Sequence, residues 1–210
     1  MFVTFEGVEG AGKSTQIALV RDWLASRGAD TLTTRQPGGC QLGLTLRAVL
    51  LDARNTHLDS TAELFLYLAD RAQHVAEVIR PALAAGKTVL CDRYHDSTVA
   101  YQGYGRGLDV ERLIDLGRMA TGGLSPDLTV VLDLPVEQGL LRARGRNQAA
   151  GASQTEGRFE ALETAFHQRV RDGFLALARR EPGRFAVLDA SGPPEEVGER
   201  VRAAVQARLG

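Results

Sequence analysis

The sequence predicts an α/β fold in which a five-stranded parallel sheet lies between two layers of helices. Short apolar runs alternate along the chain with longer segments of helical periodicity, which is the pattern of repeated strand–helix–strand units. Residues 128–134 are mostly apolar, as expected of a strand that is buried on both faces of a parallel sheet. A glycine-rich turn joins the first predicted strand, 2–5, to the first predicted helix, 13–27.

The remaining elements continue this alternation. Strands are predicted at residues 2–5, 31–34, 88–91, 128–134 and 185–188. Helices are predicted at residues 13–27, 41–51, 60–85, 110–121, 136–144, 159–180 and 194–209. Pro81 is expected to bend the last turns of the long third helix. Because the chain contains no internal repeat and no linker, the sequence predicts one domain over residues 1–210.

Composition and charge narrow the class of protein. The formal net charge is −1, so there is no overall basic excess that would attract nucleic acid or an anionic membrane. No apolar stretch approaches the ~20 residues that a membrane span requires. Cys40 and Cys91 form no CxxC pair and have no metal-ligand spacing. We therefore expect a cytoplasmic protein with no nucleic-acid or membrane partner.

The segment after the first strand, residues 7–14, fits the pattern GxxxxGK[ST] and predicts a P-loop NTPase fold. Its glycines let the backbone wrap around phosphates, and the following helix points its positive dipole end at the same anion. Lys13 is expected to reach the β- and γ-phosphates and to act in catalysis, and the Ser14 hydroxyl to ligate Mg²⁺. The predicted ATP-binding residues here are Gly7, Val8, Glu9, Gly10, Ala11, Gly12, Lys13, Ser14 and Thr15.

Two carboxylates directly follow apolar strand residues and are candidates for holding Mg²⁺ through water. They are Asp92, after residues 89–91, and Asp133, after residues 130–132. A proline and a predicted helix come just after Asp133, which favours a capping role for that residue. Asp92 is therefore the preferred metal residue.

Arginines are distributed in a way that suits phosphoryl transfer. They stand at Arg35, Arg47, Arg71, Arg93 and Arg106, and then cluster at Arg142, Arg144, Arg146 and Arg158. Catalysis of phosphoryl transfer consists mostly of positioning and of stabilising negative charge, and the arginine fork binds two phosphate oxygens at once. Neither asparagine of the chain precedes a lysine, so the guanine-reading motif of GTPases is missing. These observations favour a nucleotide-dependent kinase.

Further motifs occur in order over nearly the whole chain. They are Phe5-Glu6 before the P-loop, Thr34-Arg35-Gln36-Pro37-Gly38-Gly39, Leu46-Arg47-Ala48-Val49-Leu50-Leu51, Ala69-Asp70-Arg71, Asp92-Arg93-Tyr94, Ser97-Thr98-Val99-Ala100-Tyr101-Gln102-Gly103 and Pro126-Asp127-Leu128. With these motifs the chain resembles the bacterial thymidylate kinases of the nucleoside monophosphate kinase family. The resemblance implies Mg²⁺-assisted phosphorylation of dTMP to dTDP by ATP, for dTTP biosynthesis, in a homodimer that associates through its long helices.

The resemblance also implies roles in the acceptor site. Arg93 and Arg47 would hold the monophosphate, and Arg93 would act in catalysis. Tyr67 would stack on the thymine, and Arg71 would hydrogen-bond a base carbonyl. Glu9 would face the sugar 3′-hydroxyl, Thr98 would read the base N3, and Tyr101 would crowd the sugar 2′ position. The remaining dTMP-binding residues implied are Arg35, Ser97 and Gln102.

The chain resembles the form of the family that lacks an arginine inside the P-loop and carries arginines in a mobile lid. The lid is expected at about residues 144–158, where it would close over ATP and exclude water. Arg146 and Arg158 are the candidates for its catalytic arginine. Arg142, at the lid entrance, is expected to stack on adenine, and residues 189–192 to line the adenine site.

The chain departs from the family pattern in the loop after the second strand. Gln36 replaces the usual glutamate and Cys40 the usual threonine. The lost carboxylate is expected to weaken contacts to Mg²⁺ or to a hydroxyl, and His74 is expected on a helix surface. Two alternatives stay open: another nucleoside or nucleoside monophosphate kinase, and a catalytically silent nucleotide-binding regulator of the same fold.

Overall fold

The computed structural model describes residues 1–149, 158, 159 and 162–209, and describes residues 146–149 by their backbone alone. Its five strands are β1 (Phe2–Glu6), β2 (Thr31–Arg35), β3 (Thr88–Asp92), β4 (Leu128–Asp133) and β5 (Phe185–Asp189). They form one sheet in the order β2-β3-β1-β4-β5, and every neighbouring pair is parallel. The predicted five-stranded parallel sheet is therefore confirmed.

Helices connect the strands. They are α1 (Lys13–Ser26), α2 (Gln41–Leu51), α3 (Ser60–His74), α4 (Arg80–Ala84), α5 (His95–Thr98), α6 (Val110–Thr121), α7 (Val136–Ala149), α8 (Thr164–Arg180) and α9 (Pro194–Leu209). Two π-helical segments, Val75–Ile79 and Val99–Gly105, join α3 to α4 and extend α5. The first of these segments lies inside the helix predicted at 60–85, and the second has no counterpart among the predicted elements.

Two predicted helix boundaries were wrong, and a third predicted helix has nearly the expected limits but contains a π-helical segment. The helix expected at 60–85 is α3, a π-helical segment and α4, and Pro81, which has no N–H to donate, lies in the first turn of α4. Helix α8 begins at Thr164 instead of residue 159. Helix α7 continues to Ala149, so the first residues of the predicted lid are helical, and its residues 150–157 lie outside the described part of the chain.

The two faces of the sheet are covered by different hydrophobic clusters. On one face, Val3 and Phe5 of β1 pack with apolar residues of α1 and α9. On the other, Val131 of β4 packs with residues of α3, the second π-helical segment and α8. This arrangement is the predicted three-layer α/β/α fold. Because parallel strands all end at the same edge, it gathers the polar residues at the strand ends along one rim of the sheet.

Both cysteines are free and buried. Cys91 lies within β3 without exposed surface, as its apolar surroundings predict. Cys40 precedes α2 as its N-cap, where its Sγ accepts a hydrogen bond from the Gly43 N–H at 3.4 Å. Among the described residues, no helix combines the length and the apolar character needed to cross a bilayer.

Candidate active site

A cavity of about 1080 Å³ opens where the strands end. The structure brings most of the predicted site residues to its wall: Glu9, Gly10, Ala11, Gly12, Lys13, Ser14, Thr15, Arg35, Arg47, Tyr67, Arg71, Asp92, Arg93, Ser97, Thr98, Tyr101, Gln102 and Arg142. Gly7 and Val8 are not part of the wall, and neither is Arg158. The side chain of Arg146 lies outside the described part of the structure.

The P-loop lies between β1 and α1 and is closely packed against α7. Gly10 has a φ of 72°, and a Cβ added there would lie 2.0 Å from the carbonyl oxygen of Gly139. Only glycine fits this position. The Lys13 ammonium donates to the carbonyl oxygens of Gly7, at 3.3 Å, and Val8, at 3.1 Å. Burial, together with the positive charge of Arg93, lowers the pKa of Lys13 to about 8.

Ser14 and Asp92, the two predicted metal residues, are neighbours. The Ser14 hydroxyl donates to Asp92 Oδ2 at 3.4 Å, and the other carboxylate oxygen, Oδ1, is buried without a hydrogen-bond partner among the described residues. A hydroxyl beside a carboxylate with an unused oxygen suits Mg²⁺, which takes one or two protein ligands and completes its shell with phosphate and water oxygens. The described residues contain no cluster of three or more His, Cys, Asp or Glu side chains that could hold a metal.

Arg93 joins the P-loop to the short helix α5. It is the one non-glycine residue of the described chain with a positive φ, 66°, a strained conformation found most often at functional sites. Its Nη1 donates to Gly7 O at 3.0 Å and to Ser97 Oγ at 3.1 Å. Its Nη2 donates to Glu9 Oε1 and to the Tyr101 hydroxyl oxygen, both at 3.0 Å.

The carboxylate of Glu9 lies at the centre of this group. The Tyr101 hydroxyl is 2.7 Å from both Glu9 oxygens, and His167 Nδ1 is 3.5 Å from Glu9 Oε2. Burial opposes ionisation of Glu9, but the charge of Arg93 and the contacts with His167, Lys13 and Tyr101 outweigh it and hold its pKa well below the usual range. Glu9 is therefore an anion that can accept a hydrogen bond from a ligand hydroxyl.

Arg71 is the most deeply buried of the arginines that line the cavity. Only 2% of its surface is exposed. Its Nε donates to Gln36 Oε1 at 2.9 Å, its Nη1 to Thr98 Oγ1 at 2.8 Å and its Nη2 to the Tyr94 carbonyl oxygen at 3.0 Å. These acceptors are neutral, so no direct ion pair cancels the charge of Arg71. Three of its five N–H donors are used in this way, which leaves two for a ligand.

The side-chain hydrogen bonds of Gln36 connect Arg71 to His74, and its backbone N–H donates to the Asp92 carbonyl oxygen at 2.9 Å. Since arginine can only donate, Gln36 Oε1 must face Arg71, and Gln36 Nε2 then donates to His74 Nδ1 at 2.8 Å. His74 Nε2 bonds Thr34 Oγ1 at 2.7 Å. The expectation of an exposed His74 was wrong, because the ring is fully buried. Burial and the nearby charge of Arg71 lower the pKa of His74 to about 4, so it is neutral.

Several other predicted residues are held by local contacts. Arg142 donates to the carbonyl oxygens of Ala190, at 3.2 Å, and Ser191, at 3.5 Å, which places it beside the segment expected to line adenine. Arg47 Nη1 donates to Pro37 O at 3.1 Å. Asp133 forms a two-point ion pair with Arg171, at 2.7 and 2.9 Å, which agrees with the preference for Asp92 as the metal residue.

The cavity is also lined by residues to which the sequence analysis assigned no role. Leu51, at the end of α2, and Phe159 line the acceptor side, and Val197 of α9 lines the side of Ala190. Apolar residues of this kind carry no signal of their own in the sequence, because a lining residue and a core residue have the same composition. Arg158, next to Phe159, is buried against Glu63 at 2.6 Å. Its expected role at the phosphates remains a prediction.

Comparison with known proteins identifies the family of this chain. The family model described as Thymidylate kinase matches residues 5–201. The thymidylate kinase of Desulfovibrio desulfuricans is 62% identical over 209 residues, which cover 100% of this chain and 96% of the relative. That of Solidesulfovibrio magneticus is 63% identical over 201 residues, 96% of each chain. The crystal structure of thymidylate kinase from Ehrlichia chaffeensis is 32% identical, with a TM-score of 0.79 over 98% of both chains. This chain belongs to the thymidylate kinase family.

Proposed function

We propose that the protein transfers the γ-phosphoryl group of ATP to dTMP, producing dTDP and ADP. The observation that carries this proposal is that one cavity is lined both by the P-loop and by the polar residues Arg71 and Thr98. Lys13 and Arg93 share the carbonyl oxygen of Gly7 as an acceptor, at 3.3 and 3.0 Å, so the two cations are close together. Arg93 in turn bonds Ser97, whose neighbour Thr98 bonds Arg71. A nucleotide phosphate and its base therefore have separate partners within one cavity.

The reaction needs positive charge more than it needs a base. An oxygen of the dTMP phosphate attacks the γ-phosphorus, and the bond to the departing ADP oxygen breaks. The acceptor phosphate is already ionised, so no side chain has to remove a proton. Lys13, with a pKa of about 8, is mostly protonated at neutral pH, and Arg93 stays charged because its partners Tyr101 and Glu9 raise its pKa despite burial. Both cations can stabilise the negative charge of the transferred group.

We propose that Ser14 and Asp92 hold Mg²⁺ together with the phosphates of ATP. The pairing of a hydroxyl with a carboxylate that retains a buried, unpartnered oxygen supports this assignment. The bound ion would neutralise charge on the β- and γ-phosphates. The chain's own contribution is to fix Asp92 at the end of β3, next to the N-terminus of α1.

Selection of the acceptor is assigned to the far end of the cavity. Arg71 has two unused donors for a base carbonyl, the Thr98 hydroxyl can pair with the base N3, and Tyr67 lines the same wall as a stacking surface. Glu9 is an anionic acceptor for the 3′-hydroxyl of the sugar. The Tyr101 ring, fixed by its two bonds to Glu9, would exclude a 2′-hydroxyl.

We further propose a homodimer, a single domain over residues 1–210 with a lid at about 144–158, and a cytoplasmic location. Helices α2, α3 and α6 are packed together and expose large apolar side chains, including Leu44, Phe65 and Met119, the last at 75%. In sedimentation experiments we expect a dimer that Phe65→Asp dissociates. Val187→Asp, on the edge strand β5, is the matched control and should leave the dimer intact.

The test of the proposed function is ADP release with Mg·ATP and a panel of acceptors: dTMP, dUMP, TMP, dCMP, dGMP, AMP and thymidine. We expect clear turnover with dTMP, weak turnover with dUMP and little with the ribonucleotide TMP. Turnover with a different monophosphate alone would retain the kinase and reject the assignments of Arg71 and Thr98. Measurable ATP binding without turnover of any acceptor would favour a silent regulator.

A further inference from the structure

Glu63 is a buried carboxylate that the reaction does not use. It lies in the first turn of α3, and its side chain has no exposed surface. Its Oε1 accepts a hydrogen bond from Gln102 Nε2 at 2.8 Å. Its Oε2 lies 2.6 Å from Arg158 Nη1 and 3.2 Å from Arg106 Nη2. A carboxylate this deeply buried needs such partners, and these come from two other parts of the chain.

Arg158 is held by the body of the protein through its Nε and Nη1 atoms. Its side chain is 5% exposed. Besides the ion pair with Glu63, its Nε donates to Asn55 O at 3.0 Å and its Nη1 to Leu50 O at 3.2 Å. Contact with a phosphate at the P-loop would require Arg158 to give up these bonds. The geometry therefore favours a different task for this arginine.

The residue next to Arg158 belongs to the cavity wall. Phe159 lines the cavity, and its ring meets that of Tyr101 edge-on, with centroids 5.6 Å apart. Its carbonyl oxygen accepts a hydrogen bond from His167 Nε2 at 3.0 Å. Anchoring Arg158 thus fixes the place of Phe159 beside the tyrosine. On the other side of Glu63, the bond to Gln102 fixes a second side chain of the same wall.

We propose that Glu63 and Arg158 are positioning residues for the acceptor nucleotide. Their buried ion pair ties α3, the second π-helical segment and residues 158–159 together, and so holds Gln102 and Phe159 in the wall of the dTMP pocket. The inference rests on the proposed function, because it takes dTMP as the molecule bound there. Arg158 then acts on acceptor binding and not on the transferred phosphoryl group.

The test is Arg158→Met, studied by calorimetry with dTMP alone and with the non-hydrolysable ATP analogue AMPPNP alone, and by steady-state kinetics. We expect the Kd for dTMP to rise about tenfold, the size of effect that follows from losing one well-placed charged contact. The Kd for AMPPNP should stay within about twofold of that of the unaltered protein. The value of kcat should stay within about threefold, because a positioning residue affects the bound ground state and the transition state alike. An arginine that contacts the transferred group would instead cost about 10³-fold or more in kcat.

Three further variants make the test decisive. Arg158→Lys keeps the charge beside Glu63 and should restore most of the dTMP affinity, so the proposal stays testable if Arg158→Met folds poorly. Combining Glu63→Gln with Arg158→Met should weaken dTMP binding by less than the product of the single effects, because the two residues act as a unit. Arg180→Met removes an arginine paired with Glu111 at 2.6 Å on the surface, and should leave dTMP binding unchanged.

Two results would overturn the proposal. One is normal dTMP affinity in Arg158→Met with kcat reduced at least about 100-fold, which would place Arg158 at the phosphates. The other is an equal loss of dTMP and AMPPNP affinity in both Arg158 variants, which would mean a general structural role. Failure of the unaltered protein to bind dTMP would reject the proposed function itself, and the inference with it.

Discussion

Replacing Thr98 with valine removes one hydroxyl from the base-binding end of the cavity and keeps the shape of the side chain. Thr98 and Arg71 are each 2% exposed, and the threonine Oγ1 accepts from Arg71 Nη1 at 2.8 Å. In Thr98→Val the guanidinium loses this acceptor, so one buried N–H of Arg71 no longer has its partner in the protein. A hydrogen bond to a charged group contributes about 1.5–3 kcal/mol, which sets the expected loss in the free energy of unfolding.

Two independent measurements follow from this change. In thermal unfolding, a loss of about 1.5–3 kcal/mol in a chain of this size lowers Tm by about 3–12 °C. In the ADP-release assay, loss of the hydroxyl assigned to the base N3 should lower kcat/KM for dTMP about 10- to 100-fold, since 1.4 kcal/mol corresponds to a factor of ten. The KM for ATP should be unaffected, because Thr98 lies at the acceptor end.

Thr98→Ser is the matched control. Serine keeps the acceptor for Arg71, so kcat/KM for dTMP should stay within about threefold of the unaltered protein. Unchanged Tm in Thr98→Val would show that the bond to Arg71 carries no stability. A lowered Tm with unchanged kcat/KM would show that Thr98 holds Arg71 but does not read the base. Either result would refute the part of the reasoning that it addresses.

Three more predictions concern buried groups. Burial raises the pKa of Glu6 from 4.5 to about 7. As the pH rises from about 4.5 to about 7, the Glu6 carboxyl group ionises in the unfolded chain while it stays protonated in the folded protein. Glu6 therefore lowers the free energy of unfolding by up to ~3 kcal/mol over this range. Glu6→Gln should remove most of this decline in the free energy of unfolding, as measured by urea titrations at the two ends of the pH range. An unchanged decline in Glu6→Gln would contradict the role given to Glu6. Gln36→Glu puts a carboxylate at hydrogen-bond distance from His74 and should raise the pKa of that histidine, now about 4, by about 1–3. The shift is measured by NMR titration, and an unchanged pKa would mean that the two side chains do not meet. Lys13→Ala should lower kcat about 10²- to 10³-fold with the fold intact by circular dichroism, and near-normal turnover would remove Lys13 from the reaction.

The nucleotide-binding end of the site was predictable because its chemistry is local. The P-loop, Lys13 and Ser14 are contiguous in the chain, and the loop needs only a strand before it and a helix after it. Ser14 and Asp92 were both assigned to Mg²⁺ from the sequence, Asp92 because it directly follows an apolar strand, and the structure places the two side by side. This reasoning needed no knowledge of side-chain packing, and the five-stranded parallel sheet that it predicted is the one found.

Other features required contacts that the sequence does not display. His74 has the helical spacing of a surface residue, yet the loop from β2 covers it, and a Cβ on Gly39 would lie 2.2 Å from its ring. The π-helical segments are a second case, because an i→i+5 pattern of hydrogen bonds depends on how a helix packs and not on its composition. Arg158 is a third, because its place at the end of the predicted lid suggested a role at the phosphates, whereas in the structure its side chain is buried in an ion pair with Glu63.

The sequence by itself determined the fold class, the phosphate-binding loop and the kind of reaction. Each of these depends on short motifs or on the alternation of strands and helices, and both can be recognised without a structure. Only the tertiary structure decided how the acceptor end is held. Arg71, Gln36 and Thr98 come from α3, the loop after β2 and α5, and their hydrogen bonds form when the sheet brings those elements together. The same is true of Glu63 with Gln102 and Arg158. A motif identifies residues that act together because they are close in the sequence. The partners named here are 27 to 95 residues apart in the sequence, and only tertiary packing brings them together.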